Sequence, residues 1–213
     1  VGQVDYYKSL LAEADLEPEI EEHLRELISQ KNYFGVEELL KGQNLSESLS
    51  EAFAELPQMF GSVEVLEKAK KFTSNPEALS AVKRLEEIYE ILKVYGCEKY
   101  IAFDFGMLSK FRYYTGIIFQ AYTYGTGEPL IKGGRYNELM KHFGKPASSI
   151  GFAIVVDNLM LALSRQKLTV PSGDKTVVIT YAPGELKKAI QEAITLRGEG
   201  KKVALCPKKE EQE

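Results

Sequence analysis

Apolar residues recur at helical spacing through the first part of the chain and at strand spacing after Gly96, and that change organises the reading. Ile20, Leu24, Leu27 and Ile28 share one helical face, and Leu79, Val82, Leu85, Tyr89, Leu92 and Tyr95 hold another for several turns. Asn75-Pro76 predicts the start of that second helix, because the amide caps free N–H groups and proline needs none in the first turn. Gly96 ends it. Asn44-Leu45-Ser46, Leu56-Pro57 and Phe60-Gly61-Ser62 mark breaks between helices.

Residues 99–105 and 116–124 are rich in β-branched and aromatic side chains at strand length, which predicts two strands. A shorter strand fits 129–132, followed by the paired Gly133-Gly134 and a helix over about 136–142. A fourth strand at 149–154 runs into an apolar helix through Leu159, Met160 and Leu163. Adjacent strands closed by a strand and a helix predict an α+β fold with a mostly antiparallel sheet. The polar stretch 169–174, interrupted by Pro171 and Gly173, reads as a linker. Beyond it an apolar run at 176–180, a helix at 185–197 and a strand at 202–206 predict a βαβ unit. The expected organisation is a first domain over 1–168, helical to 96 and sheet with pocket over 97–166. A second, α/β domain over 175–213 would be cut short. The opening on Val1 rather than Met, and the close just after an apolar run, read as a piece of a longer polypeptide.

Charge narrows the function classes. Lys plus Arg number 27 against 31 Asp plus Glu, a net charge of −4, which gives no basic footprint for nucleic acid. No run of about 18 apolar residues argues for a membrane span, so the cytoplasm is the expected compartment. Cys97 and Cys206 stand far apart with only His23 and His142 to help, a poor basis for a disulfide framework or a metal site. Gly144-Lys145-Pro146 lacks the rest of a phosphate loop, and no dinucleotide, serine-elbow or zinc-helix signature occurs. Neither cofactor nor metal is expected.

Three segments stand out: Tyr113-Tyr114-Thr115-Gly116, Lys132-Gly133-Gly134-Arg135-Tyr136 and Ile150-Gly151-Phe152-Ala153. Glycines without Cβ let a ligand or another backbone come close, and tyrosines offer ring faces and hydroxyls. On composition alone the alternative stays open that the tyrosines are core residues with wet tips and the glycines turn the chain.

Phe111 to Phe119, Gly133-Gly134-Arg135-Tyr136-Asn137-Glu138-Leu139 and Ile150-Gly151-Phe152-Ala153 resemble, in order and spacing, the histidyl-tRNA synthetase family. The resemblance covers about residues 1–166, with 175–206 similar to the start of that family's C-terminal α/β, anticodon-binding-like domain. It implies a class II aminoacyl-tRNA synthetase-like fold, a mostly antiparallel sheet with flanking helices, and a histidine pocket built from the two tyrosine segments. Two departures matter. Synthetases carry Arg-Gly-Leu-Asp where this chain reads Ser109-Lys110-Phe111-Arg112, and Gly-Leu-Glu-Arg where it reads Val155-Val156-Asp157-Asn158. Adenylate formation brings a carboxylate up to a polyphosphate and needs fixed positive charge there; removing one such donor costs on the order of 10²–10³ in rate.

Tyr113 to Tyr122 followed by Gly127-Glu128-Pro129 resembles the synthetase paralogues that regulate ATP phosphoribosyltransferase more closely than a working synthetase. That resemblance implies a subunit with no catalytic residue of its own, needed by the short-form catalytic subunit and for histidine feedback at the first step of histidine biosynthesis. It implies a homodimer within a hetero-oligomer, with histidine as allosteric ligand. Tyr114 and Tyr136 would meet the imidazole, Gly133 and Gly134 would permit close approach, Tyr113 would line the wall, and Arg135 would brace it. The rival readings are a fragment of an active histidyl-tRNA synthetase and a structural or RNA-binding module with a vestigial pocket.

Overall fold

The computed structural model describes residues 1–108, 113–169 and 176–208. Ser109, Lys110, Phe111 and Arg112, and the expected linker positions from 170 to 174, lie outside the described residues. The chain divides into two compact units, Val1–Gln166 and Lys167–Glu213.

The helical part of the first unit comprises α1 (Val4–Ala14), α2 (Pro18–Ser29), α3 (Tyr33–Leu40), α4 (Glu47–Glu55), α5 (Glu64–Lys71) and α6 (Pro76–Val94). Asn75 caps α6 as its position predicts: Oδ1 accepts from the N–H groups of Glu77 at 2.9 Å and Ala78 at 3.2 Å. Gly96, at φ 67°, takes the left-handed turn beyond the helix end. Tyr6 and Leu10 of α1, Leu24 and Ile28 of α2, Phe53 of α4 and Val82 and Leu85 of α6 are buried together with Phe103. Burial contributes roughly 1.5–3 kcal/mol for each such large apolar side chain. The Tyr6 hydroxyl donates to Ala69 O at 2.9 Å, whereas the buried Tyr7 hydroxyl finds no hydrogen-bond partner among the described residues.

The expected strand at 99–105 shrinks to two residues. A 3₁₀ turn occupies Glu98–Tyr100, and the strand that remains, Phe103–Asp104, pairs antiparallel with Phe60–Gly61. The Asp104 carboxylate accepts from Gly106 N at 2.9 Å and from the Lys31 ammonium, which bends the chain away from any longer ladder.

Numbered in chain order, the strands of the first unit are β1 (Gly2–Gln3), β2 (Phe60–Gly61), β3 (Phe103–Asp104), β4 (Ile117–Ala121), β5 (Ile131–Arg135) and β6 (Ile150–Ile154). Four of them form one sheet in the order β1-β4-β5-β6, antiparallel at each step. Ile118 pairs with Gly134, which pairs with Gly151; Gln120 pairs with Lys132, which pairs with Ala153. Because β5 runs through Gly133 and Gly134, the paired glycines lie inside a strand rather than after one. The expected helix at 136–142 is instead a 3₁₀ helix over Leu139–Phe143. Tyr136 N is held by Ser149 O at 2.8 Å, so the chain leaves the ladder too late to wind an α-helix before Gly144. β6 ends the sheet, and Ile150, Phe152 and Ile154 are 67%, 62% and 50% exposed. It leads into α7 (Val156–Arg165).

In the second unit β7 (Val177–Tyr181) and β8 (Val203–Pro207) pair in parallel, with α8 (Leu186–Gly198) between them in the chain. No helix among the described residues is long and apolar enough to cross a membrane.

A tyrosine cluster on a glycine floor

Gly116 opens β4 at φ 91°, a conformation that a residue with a Cβ adopts only under strain. Thr115 N donates to Arg135 O at 2.7 Å, which carries the ladder past the glycine and sets Tyr114 over β5. A Cβ on Gly134 would lie 2.7 Å from Tyr114 Cδ1, and one on Gly151 would lie 2.7 Å from the Tyr136 hydroxyl oxygen. Since Gly134 and Gly151 are register partners, this face of the sheet is bare beneath both rings. Tyr113 bridges them: its ring centroid lies 4.4 Å from that of Tyr114 and 6.0 Å from that of Tyr136, nearly perpendicular to the latter.

Tyr113, Tyr114, Gly134 and Tyr136 are thus brought together. Gly133 is not. A Cβ there would meet Gly151 O at 2.5 Å and Phe152 Cβ at 2.6 Å, so its bareness serves the opposite face, where Phe119 and Phe152 pack.

Burial, above all, pushes the Tyr114 phenol up to about 12; its hydrogen bond with Tyr113 and the neighbouring phenols of Tyr113 and Tyr136 act the same way. Tyr122 is raised too, by burial first and then by the Asp104 and Glu128 carboxylates. Its hydroxyl donates to Gln120 Oε1 at 2.5 Å. The Tyr114 hydroxyl is therefore neutral at physiological pH.

Asn137, which the sequence reading passed over, ties the site together. Its Oδ1 accepts from Arg135 Nε and from Ser149 N, both at 3.1 Å, and its own N–H donates to Thr115 Oγ1 at 3.0 Å. One residue thereby links the start of β4, the end of β5 and the entry to β6, and holds Tyr136 beside it. Arg135 spends its Nε on this brace and faces a cleft of about 490 Å³ lined by Asp5, Glu77, Arg84, Thr115 and Asn137. Asn158 donates from Nδ2 to Pro129 O at 3.0 Å, fastening the first turn of α7 to the approach to β5. Among the described residues no grouping of His, Cys, Asp and Glu could hold a metal ion.

This arrangement can be set beside known proteins. The family profile of histidyl-tRNA synthetase matches residues 1–159. An ATP phosphoribosyltransferase regulatory subunit from Acetivibrio thermocellus is 36% identical over 200 residues, covering 94% of this chain and 48% of that protein. One from Clostridium acetobutylicum is 39% identical over 207 residues, covering 95% and 50%. A crystal structure from Bacillus halodurans C, described as an ATP phosphoribosyltransferase regulatory subunit/histidyl-tRNA synthetase, superposes with a TM-score of 0.70 at 30% identity, covering 97% of this chain and 52% of that one. The chain spans about half the length of the curated relatives it matches. From the match over 1–159 and the shared α+β architecture, the chain belongs to the histidyl-tRNA synthetase family and has its class II fold.

Proposed function

We propose that this chain is part of a non-catalytic regulatory subunit of ATP phosphoribosyltransferase, one that binds histidine and makes a short-form catalytic subunit responsive to it. The observation that carries the reading is the tyrosine cluster seated on Gly134 and Gly151. A neutral imidazole has one donor and one acceptor nitrogen, and neutral phenols can serve both. Tyr114 and Tyr136 would contact that ring, with Tyr113 behind them. Gly133 stays in the proposed set as a packing residue of the floor strand. The names of the relatives support the assignment to this complex.

The absence of activation chemistry is part of the proposal. Asn158, where the resemblance places a phosphate-gripping arginine, is neutral and already engaged with Pro129 O. Without that cation a polyphosphate loses a donor worth on the order of 10²–10³ in rate. Regulation then requires histidine to bind one state of a homodimer-containing hetero-oligomer better than the other, since equal affinity shifts nothing. The first step of histidine biosynthesis, in the cytoplasm, is the proposed setting.

The match to a synthetase family favours one rival, an active synthetase. Calorimetric titration of the full-length polypeptide with histidine, run beside histidine-dependent ATP–pyrophosphate exchange, separates the readings. Binding without exchange is the expected result, with Tyr114→Ala and Tyr136→Ala each weakening affinity by about tenfold or more, roughly 1.4 kcal/mol. Exchange above background would overturn the proposal in favour of the synthetase, and absent binding would leave a vestigial pocket.

A further inference from the structure

The sheet face that carries the tyrosines continues past them. In an antiparallel ladder, directly paired residues share a face and alternate residues along a strand return to it. Gly134 and Gly151 lie beneath the rings, so their neighbours two residues on, Lys132 and Ala153, point to the same side, as do Ile118 and Gln120. Lys132 therefore stands about 7 Å along β5 from the glycine floor, at a rise of roughly 3.3–3.4 Å per residue. Of the described β4, β5 and β6 positions on this face it is the one with a charge.

The surroundings leave that charge unspent. Lys132 is exposed and makes no ion pair or hydrogen bond among the described residues. Gln120, its partner on one side, has Oε1 occupied by the Tyr122 hydroxyl, so its amide nitrogen is left to donate. Ala153, on the other side, is too small to fill the space above it. The other cation of β5, Arg135, belongs to the opposite face and is tied to Asn137. Asn158 is tied to Pro129 O.

We infer that Lys132, with the Gln120 amide beside it, is the anion-binding end of the tyrosine site and holds the carboxylate of the bound amino acid. The inference rests on the histidine-pocket reading above. An ammonium–carboxylate hydrogen bond is charge-assisted and about twice as strong as a neutral one, so this end would set the preference for an amino acid over a plain imidazole amine.

The test compares L-histidine with histamine, which keeps the imidazole and lacks the carboxylate, by calorimetric titration of the full-length polypeptide. Wild type should bind histidine more tightly than histamine. Lys132→Gln should weaken histidine by about tenfold and leave histamine within about twofold, and Lys132→Arg should restore most of the loss. Tyr114→Ala should weaken both ligands. The exposed position of Lys132 means these variants fold, and circular dichroism checks that they do. Histidine affinity unchanged in Lys132→Gln, with wild type binding normally, overturns the role of Lys132 and leaves the pocket standing. A wild type that binds neither ligand overturns the pocket and this inference together.

Discussion

Gly134 and Gly151 are fixed by the rings above them rather than by backbone conformation, since neither has a positive φ. Alanine at 134 would put a methyl 2.7 Å from Tyr114 Cδ1 and 2.8 Å from the Ile117 carbonyl oxygen, which cannot move without breaking the ladder. Gly134→Ala should therefore tilt the Tyr114 ring off the floor, cost about 1–3 kcal/mol in urea denaturation, and weaken histidine by about tenfold or more. Tyr113, Tyr114, Tyr136 and the glycine pair were legible in the sequence as residue types. Which glycine lies under which ring was not, because a shift of one position in register turns each side chain to the other face. Gly133 and Gly151 acquire their places, and Lys132 the role proposed for it, only once β5 is paired with β4 and β6. Asn137 stood in the sequence as one member of the segment 133–139, but its bracing role was not legible, since its partners Thr115 and Ser149 are distant in sequence.

Among the elements, those defined by local chemistry were the readable ones. α6 begins at an Asn-Pro pair and runs on a sustained apolar face, and both features act within a few residues of each other. Asn75→Ala should remove the cap from Glu77 and Ala78, cost about 1 kcal/mol, and lower the melting temperature by about 2–4 °C in a calorimetric scan. The parallel pairing of β7 with β8 around α8 was similarly legible from an apolar run, a helix and a second run. β1 went unread. It is two residues long, and what makes it a strand is pairing with Ile117 and Ile118, more than a hundred positions away. The 3₁₀ segments at Glu98–Tyr100 and Leu139–Phe143 escaped for the same reason, being set by Asp104 and Ser149 rather than by their own propensities.

For the molecule as a whole, the buried phenols set an alkaline limit. Burial raises Tyr6 and Tyr7 well above the ordinary tyrosine range, and Tyr114 sits at about 12, against roughly 10 in an unfolded chain. Above pH 10 the folded chain keeps protons that the unfolded chain has released, so stability falls as pH rises. The contribution of these groups is complete below about pH 10 and is lost progressively as pH rises through their folded values, that of Tyr114 by about 12. Denaturation midpoints measured from pH 8 to 12 should be flat and then drop, with tyrosinate absorbance lagging that of the unfolded chain; a midpoint constant through pH 12 would contradict the burial. The border of the sheet has a different consequence. Along β6 the outer backbone edge has no strand partner among the described residues, beside Ile150, Phe152 and Ile154, and no lysine or proline in the strand blunts it. That rim is adhesive: in a concentrated solution of this chain alone, aggregation would be seeded there, by one molecule's β6 stacking on another's.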